Sequence, residues 1–292
     1  LLRSGYRDLT VCQINHGLRA GEAAADSEFV RTIAENSGLP LHSMAVDVKA
    51  HSAESSQSIE TAARELRYRC FAEIASSLDC PRVMLGHHAD DQVETILMNF
   101  FRGSGTRGIS GMCPVRERRV NGTKLTLIRP LLPVSREEID RYLSDNGIEF
   151  RNDESNHEMF ALRNRIRHQL IPMINEVFRR DTRPAILRSS ELAQRMEDWI
   201  DSENISPPVR DEGLDVAALR EMPGARRDWL LYQWLRSSGI PDCGFAEVER
   251  VVAVLQSNDK PAKANLPGDH HVRRRSGVLF LELPGTGNDN TK

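Results

Sequence analysis

Apolar and amphipathic segments alternate along the first third of the chain. Apolar runs rich in β-branched residues at 9–15, 39–48 and 82–87 predict buried strands. The segments between them, 21–37 and 59–78, carry apolar residues at helical spacing and therefore predict helices. Strands that alternate with helices are typical of a parallel sheet with right-handed crossovers, so the pattern predicts an α/β fold.

The third predicted strand leads into a helix at 91–101. Its apolar residues share one helical face, which we expect to be buried: Val93, Ile96, Leu97, Phe100 and Phe101. A further strand is predicted at 125–132. Ser135 and Glu138 form a capping box, which predicts the start of the next helix.

Polar and charged stretches interrupt these elements. The stretches 51–58 and 112–123 are predicted to be surface loops. A short basic helix is predicted at 163–174, with a break near Pro172, and a long helix follows at 182–200.

The composition changes near residues 204–208, which contain two prolines and are predicted to be a linker. Three helices and three short strands are predicted beyond it, at 215–220, 225–237, 245–256, 262–266, 270–275 and 278–283. This second part of the chain is therefore expected to be a smaller, mostly helical domain.

The composition is typical of a globular cytoplasmic protein. The 292 residues carry a net charge of −3, and 39% of them are hydrophobic. The longest apolar runs span a few residues only, so no membrane segment is predicted. The five cysteines are scattered without a CxxC pair, which argues against zinc and iron–sulfur sites and favours reduced thiols.

Candidate chemistry concentrates between the third strand and its helix. This run contains His87, His88, Asp90, Asp91 and Glu94. The end of a parallel strand is where α/β sheets bind ligands, and clustered carboxylates can hold Mg²⁺ and, through it, a phosphate. The alternative is that the aspartate pair only caps the helix and complements its dipole.

A basic stripe lies further along the chain. Residues 161–195 carry eight arginines and few acidic residues, although the whole chain is mildly acidic. Such a stripe is typical of a surface that binds nucleic acid, but it is also compatible with a solvated helix face.

Several short motifs, taken together and in order, resemble the tRNA(Ile)-lysidine synthetase family. They are Asn15-His16-Gly17-Leu18-Arg19, the helix from Ile59 to Tyr68, the run from His87 to Thr95, Arg102-Gly103-Ser104-Gly105, Arg129-Pro130-Leu131-Leu132, and Arg163 to His168. The resemblance covers essentially the whole chain.

The resemblance implies a PP-loop, adenine nucleotide alpha hydrolase-like fold, with a parallel sheet and helices on both faces. It implies that ATP adenylates the wobble cytidine of tRNA(Ile) with a CAU anticodon. Free lysine then displaces AMP, giving lysidine and AUA decoding. ATP and Mg²⁺ would be the cofactors, and tRNA(Ile) and lysine the partners. Whether the chain forms a homodimer is left open.

The resemblance also suggests roles for individual residues. Asp91 and Glu94, with Asp90, are candidates to bind Mg²⁺ or the lysine ammonium, and Arg129 and Arg107 to stabilise charge on phosphate.

Further residues are candidates for binding the two large substrates. His87, His88, Arg64 and Arg67 are candidates for the nucleotide, although the arginines are equally compatible with helix ion pairs to Glu60 or Glu65. Four residues are expected to contact tRNA phosphates: Arg163, Arg165, Arg167 and His168.

The sequence departs from the family pattern at its start. The Ser-Gly-Gly-x-Asp-Ser loop that grips ATP phosphates is absent, and Leu1-Leu2-Arg3 resembles the end of the helix after it. We therefore expect that an N-terminal piece precedes these residues. Without that loop the chain is expected to bind ATP poorly.

The expected domains are a PP-loop catalytic domain at 1–180, a connecting helix and linker at 181–205, and a tRNA- or substrate-binding domain at 206–285. The tail at 286–292 is expected to be disordered. Two other functions are weighed. One is a PP-loop cytidine thiolase, which the cysteine spacing argues against. The other is a noncatalytic tRNA-binding protein, which would have no need of the acidic and basic pocket.

Overall fold

The computed structural model describes residues 1–17, 22–151, 162–203, 205–240, 243–256 and 263–282. The chain divides into two compact units. Unit 1 comprises Leu1–Asp91 and Cys113–Glu158, and unit 2 comprises Gln92–Met112 and Met159–Lys292. The division therefore passes through the helix that follows the third strand. The domain borders expected from the sequence stay a prediction.

Unit 1 contains the predicted alternation of strands and helices. After a short 3-10 turn at Leu2–Ser4 its elements are β1 (Val11–Asn15), α1 (Glu22–Asn36), β2 (Leu41–Ala45), α2 (Val48–Ser55), α3 (Ile59–Ser77), β3 (Arg82–Met84), the first turn of α4 (Ala89–Phe101), β4 (Val115–Val120), β5 (Thr123–Ile128) and α6 (Arg136–Asp145).

Two pairs of parallel strands confirm the α/β prediction. β1 pairs with β2 from Val11↔Leu41 to Asn15↔Ala45. β3 pairs with β5 from Arg82↔Thr126 to Met84↔Ile128. Because parallel strands point the same way, the residues that follow β3 and β5 leave the sheet at the same edge.

Helix α3 supplies the hydrophobic cover for these strands. Ser58 caps its start by accepting a hydrogen bond from the backbone of Thr61. Its buried face contributes Tyr68, Ala72 and Ala75 to a core with two leucines of β5. This packing fixes the orientation of α3 and of the polar side chains that it carries.

Two predictions for unit 1 are wrong. The polar stretch 51–58 is not all loop, because α2 runs through Ser55, with Asp47 accepting the hydrogen bond of Ala50 at its start. The charged stretch 112–123 contains β4, which pairs antiparallel with β5 along its whole length. β4 lies at the edge of its three-stranded sheet. An edge strand tolerates many charges because one face and one side meet water.

Unit 2 contains the rest of α4 and the remaining elements. They are α5 (Gly105–Ile109), α7 (Leu162–Arg165), a π-helical turn (Ile166–Leu170), α8 (Ile171–Phe178), α9 (Arg183–Ser202), β6 (Val209–Arg210), β7 (Gly213–Asp215), α10 (Val216–Glu221), α11 (Gly224–Ser237), α12 (Phe245–Gln256), β8 (Lys263–Leu266), β9 (His270–Arg275) and β10 (Val278–Glu282).

The basic helix differs from its prediction. It does not break at Pro172, because that proline lies in the first turn of α8, where its missing N–H is not needed. The irregularity comes earlier, as the π-helical turn at Ile166–Leu170. Single π turns inside α-helices are frequent at functional sites.

The buried face of α4 is shorter than predicted. Val93 and Leu97 are buried and pack with Ile166 and Ile171 in unit 2. Phe100 and Phe101 are 59% and 65% exposed and contact each other edge to face. The prediction that they share the buried face is therefore wrong.

The end of unit 2 confirms the predicted helices and short strands. A five-stranded sheet in the order β6-β7-β10-β9-β8 packs with α10, α11 and α12 around a leucine- and valine-rich core. β6 and β7 were not predicted from the sequence; together they span only five residues.

The predicted tail at 286–292 lies outside the described residues, as do Leu18 and Arg19 of the motif that begins at Asn15. Among the described helices, none is long and apolar enough to cross a membrane.

Candidate active site

The loop after β3 brings one histidine against two aspartates. The Nδ1 atom of His88 is 3.6 Å from a carboxylate oxygen of Asp90, and its Nε2 atom is 3.5 Å from Asp91. All three side chains are at most 16% exposed. Three of the five residues of the predicted cluster thus lie together after β3, at an edge of the kind where α/β sheets bind ligands.

Both aspartates also hold backbone N–H groups. Asp91 accepts a hydrogen bond from the backbone of His88 at 3.1 Å, and Asp90 accepts one from Arg136 at 2.8 Å, at the start of α6. Asp91 therefore supports the start of its own helix, as the capping alternative expects, whereas Asp90 holds the start of α6. Capping and chemistry are compatible, because a carboxylate that accepts one backbone bond keeps further acceptor capacity.

Arg129 follows β5 at the same edge of the sheet. Its side chain is 4% exposed and donates through Nη1 to the backbone oxygen of Cys113 at 2.7 Å. The buried Nε atom has no hydrogen-bond partner among the described residues. Burial lowers the pKa of Arg129, and the nearby charges of Arg64 and Arg116 lower it further. A buried guanidinium with a spare donor is suited to bind an anion.

The two arginines of α3 have different neighbours. Arg67 lies 3.4 Å from Nε2 of His16, which follows β1. Burial and then the charge of Arg67 lower the pKa of His16. Arg64 lies over the ring of Tyr68, at 5.2 Å. The described ion pairs of Glu65 are with His51 and Arg69, so the alternative of an ion pair between Arg64 and Glu65 is not found.

In unit 2, Glu94 lies at the centre of a second cluster. Its side chain is fully buried, and its oxygens are 2.6 Å from Nε of Arg167 and 3.3 Å from Nε of Arg163. Arg163 also donates to the hydroxyl of Thr95 at 3.1 Å. The basic helix is thus attached to α4 through a buried carboxylate, on both sides of the start of the π-helical turn.

The other predicted residues of the basic helix face water. Arg165 and His168 are exposed, which suits contact with phosphates. Arg107 lies in the short helix α5, 3.9 Å from Glu197 and 3.8 Å from Asp201 of α9. Thr106 donates to the same buried Glu197 at 2.6 Å. The roles of Arg107 in charge stabilisation and of Arg165 in tRNA binding stay predictions.

The donor set near the strand ends fits Mg²⁺ in part. No group of three histidine, cysteine or acidic side chains within the described residues is arranged to hold a metal. Mg²⁺ commonly uses only one or two carboxylates together with substrate phosphates, and Asp90 and Asp91 offer hard oxygen ligands. Glu94 is the weaker candidate, because two guanidinium groups already face its carboxylate.

The surroundings of Tyr68 were not predicted from the sequence. Arg116 and Arg118, placed in a loop by the prediction, lie on β4 next to the buried core that contains this tyrosine. The signal available was the alternation in Val115-Arg116-Glu117-Arg118-Arg119-Val120, where every second residue faces the same side of a strand.

Known families match both parts of the chain. The PP-loop domain family matches residues 2–174, and the TilS substrate binding domain family matches residues 214–280. The U34-tRNA thiolase NcsA of Methanococcus maripaludis, solved with its [4Fe-4S] cluster, has a similar fold. Its TM-score is 0.50 at 12% identity, over 66% of this chain and 65% of that one.

Curated relatives match most of the chain. tRNA(Ile)-lysidine synthase of Chlorobaculum tepidum is 33% identical over 96% of this chain and 83% of its own length. The enzymes of Geobacter sulfurreducens and Dehalococcoides mccartyi are 38% and 36% identical, over 91% and 87% of this chain. The chain spans about half of those two relatives, 57% and 55%.

The parallel strands, with polar side chains at their carboxyl ends, and the matching family define a PP-loop protein. The similarity to the relatives is specific enough to go one step further. The chain belongs to the tRNA(Ile)-lysidine synthase family.

Proposed function

We propose that this protein ligates lysine to the wobble cytidine of tRNA(Ile) with a CAU anticodon, using ATP. The observation that carries the proposal is the match to lysidine synthases along nearly the whole chain, together with the assembled site at the ends of β3 and β5. The neighbouring thiolase shares only the fold, so its reaction is the less favoured alternative.

The proposed reaction has two steps. The oxygen on C2 of the cytidine attacks the α-phosphorus of ATP, and pyrophosphate leaves. The ε-amine of lysine then forms a bond to C2, and the C2–O bond breaks, so that AMP leaves with the cytidine oxygen. The amine must lose its protons to the surroundings before or during this step.

Residues near the strand ends fit these demands. Asp91 is the candidate to accept a proton from the lysine amine or to hold its ammonium, since its carboxylate lies beside His88 at a ligand-binding edge. Arg129 is the candidate to stabilise charge on the transferred phosphate, and Arg67 is a candidate to bind the nucleotide. Mg²⁺, when bound by Asp90 or Asp91 and the ATP phosphates, would neutralise phosphate charge.

The thiols of the described residues give the sulfur-transfer alternative little support. All five cysteines are free. Burial raises the pKa of Cys12 and of Cys243 to about 11, so both thiols are protonated at neutral pH.

The proposal is tested by incorporation of labelled lysine into tRNA by the full-length protein. Incorporation should require ATP and the CAU anticodon. Transfer of sulfur instead of lysine, or tRNA binding without any product, would overturn the proposal in favour of the thiolase or of the binding protein.

Asp91→Asn tests the chemical role at the site. The amide oxygen can still accept the backbone hydrogen bond of His88, so the helix start should be retained while the negative charge is lost. We expect lysidine formation to fall at least about 100-fold with tRNA affinity nearly unchanged. Asp145→Asn, at an exposed end of α6, is the matched control. Equal loss of tRNA affinity and activity would limit Asp91 to a structural role.

A further inference from the structure

Two arginines of unit 1 lie over one buried aromatic ring, and two further arginines belong to the same group of charges. Tyr68 is 3% exposed, and the guanidinium carbons of Arg118 and Arg64 lie 4.2 Å and 5.2 Å from its ring centroid. The buried Arg129 is close enough for its charge to interact with Tyr68, with Arg64 and with Arg116. Within the described residues, no carboxylate forms an ion pair with any of these four arginines. We call these five residues the arginine–tyrosine cluster.

The strand register explains why two of the arginines lie on the side of β4 that carries the core of this tyrosine. Arg116 pairs with Leu127 and Arg118 pairs with Leu125, and directly paired residues share a face of the sheet. Both leucines are buried in the core that contains Tyr68. Arg119 pairs with Lys124 and therefore lies on the opposite face. The cluster is thus a consequence of β4 being a strand, and it could not exist if these residues formed a loop.

The ring contact holds the guanidinium groups without neutralising them. An arginine that stacks on an aromatic face keeps its N–H donors at its edge, where they can bind an anion with two parallel hydrogen bonds. A large ligand can reach the cluster because three of its arginines are exposed: Arg64, Arg116 and Arg118. Like charges held together repel each other, and an anion that binds them relieves the repulsion.

We propose that the exposed arginines of this cluster, Arg64, Arg116 and Arg118, bind the phosphodiester backbone of an RNA. The inference rests on the proposed function, which supplies a tRNA as the RNA. A polyanion is favoured over a single small anion because two of the arginines are spaced along one strand. Side chains two residues apart on one face of a strand are separated by roughly 7 Å. An extended row of cations suits a chain of phosphates.

The test compares neighbouring positions of one strand in the full-length protein. Arg118→Ala removes a cluster residue, and Arg119→Ala removes an equally exposed charge from the opposite face. Binding of unmodified tRNA(Ile) is measured over a series of salt concentrations. For R116A/R118A we expect about 10-fold weaker binding and a salt slope that falls by about 1.5. R119A should change the affinity less than about 2-fold.

Arg118→Lys separates stacking from charge. Lysine keeps the positive charge but has no planar group to stack on Tyr68 or to bind phosphate at two points. R118K should therefore keep most of the salt slope and lose part of the affinity. All of these positions are exposed, so we expect the variants to fold. Thermal unfolding of each variant checks this. If R118A and R119A weaken binding equally, the cluster has no special role and the proposal is wrong.

ATP affinity is the second readout. If R116A/R118A weakens ATP binding and leaves tRNA binding intact, the arginines belong to the nucleotide site and the proposal is overturned. The proposed function fails separately, when the wild-type protein attaches no lysine to tRNA. In that case a specific loss of tRNA affinity in R116A/R118A would still support the RNA surface. If the wild-type protein attaches lysine and R116A/R118A binds tRNA as tightly as the wild type does, the proposed RNA surface is wrong and the proposed function stands.

Discussion

Two arginine-rich regions of this molecule have opposite surroundings. In the basic helix of unit 2, Arg163 and Arg167 contact the fully buried carboxylate of Glu94. In the arginine–tyrosine cluster of unit 1, Arg64 and Arg118 contact an aromatic ring, and none of the arginines has an acidic partner among the described residues. The first region is the one that charge density in the sequence marks for RNA binding.

The difference shows that the number of arginines in a segment does not measure the charge available to a ligand. A guanidinium held by a buried carboxylate contributes to the packing of two helices, and much of its field is neutralised locally. A guanidinium stacked on a ring keeps its full charge. We therefore expect changes at Arg163 and Arg167 to act mainly on stability, and changes at the exposed arginines of the arginine–tyrosine cluster to act mainly on ligand binding.

The largest effect is expected for Arg129→Met, because it removes a buried donor from the predicted phosphate site. Lysidine formation should fall about 100-fold or more, the usual cost of losing one positioned donor. Stability should fall by about 1–3 kcal/mol, since the variant leaves the backbone oxygen of Cys113 without its donor. Single-turnover rates and urea unfolding measure the two effects. A destabilised variant with normal activity would contradict the role of Arg129.

The next effect is expected for Glu94→Gln, which removes the charge that faces two arginines. Breaking a buried pair costs about 3–5 kcal/mol, and the partial exposure of both arginines reduces the expected loss of stability to about 2–3 kcal/mol. Glu137→Gln is the control, because Glu137 pairs with Arg141 in water and its loss should cost less than about 0.5 kcal/mol. If both variants have the same unfolding midpoint, Glu94 does not anchor the basic helix.

A smaller effect separates two arginines of the basic helix itself. Arg165→Ala should leave stability within about 0.5 kcal/mol of wild type, because Arg165 is exposed, and should weaken tRNA binding several-fold. Arg167→Ala should lower stability by about 1–2 kcal/mol, because it leaves Glu94 with one fewer partner. Unfolding curves and tRNA titrations of both variants test the contrast. The reverse pattern would show that the ion pair does not anchor the helix.

The smallest effect is a pH dependence that involves His16 in unit 1. The folded structure lowers the pKa of His16 below its ordinary value of 6.5, through burial and the charge of Arg67. The unfolded chain therefore binds the proton more readily than the folded protein does. The stability should fall as pH drops below the ordinary value of 6.5. His16→Asn should lose less stability than wild type between neutral pH and about pH 5. Parallel curves for both proteins would contradict this.

The sequence predicted best those features that depend on neighbouring residues. The capping box of Ser135 and Glu138 is present with both of its hydrogen bonds. α12 has the predicted bounds, Phe245–Gln256, and the predicted strand at 270–275 is β9. In each case the signal is a cap, a period or a turn within a few residues, so no distant contact is needed to recognise it.

The features that were missed depend on partners far along the chain. The π-helical turn contains Arg167, which contacts Glu94 at a separation of 73 positions, and the contact of Thr106 with Glu197 crosses 91 positions. β4 becomes a strand by pairing with β5, although its charges alone favour a loop. Helical spacing predicted that Phe100 and Phe101 would continue the apolar face of α4. They are exposed because the core that buries this face ends at Leu97 and Met98.

The identity of the product nucleoside tests the proposed function most directly. The full-length protein would be incubated with ATP, lysine and unmodified tRNA(Ile), and the nucleosides of the digested tRNA would be weighed by mass spectrometry. We predict a wobble cytidine heavier by one lysine less one water, and AMP that carries the cytidine oxygen when that oxygen is isotopically labelled. A cytidine that gains sulfur in place of oxygen, or that is unchanged while tRNA binds normally, would contradict the proposed function.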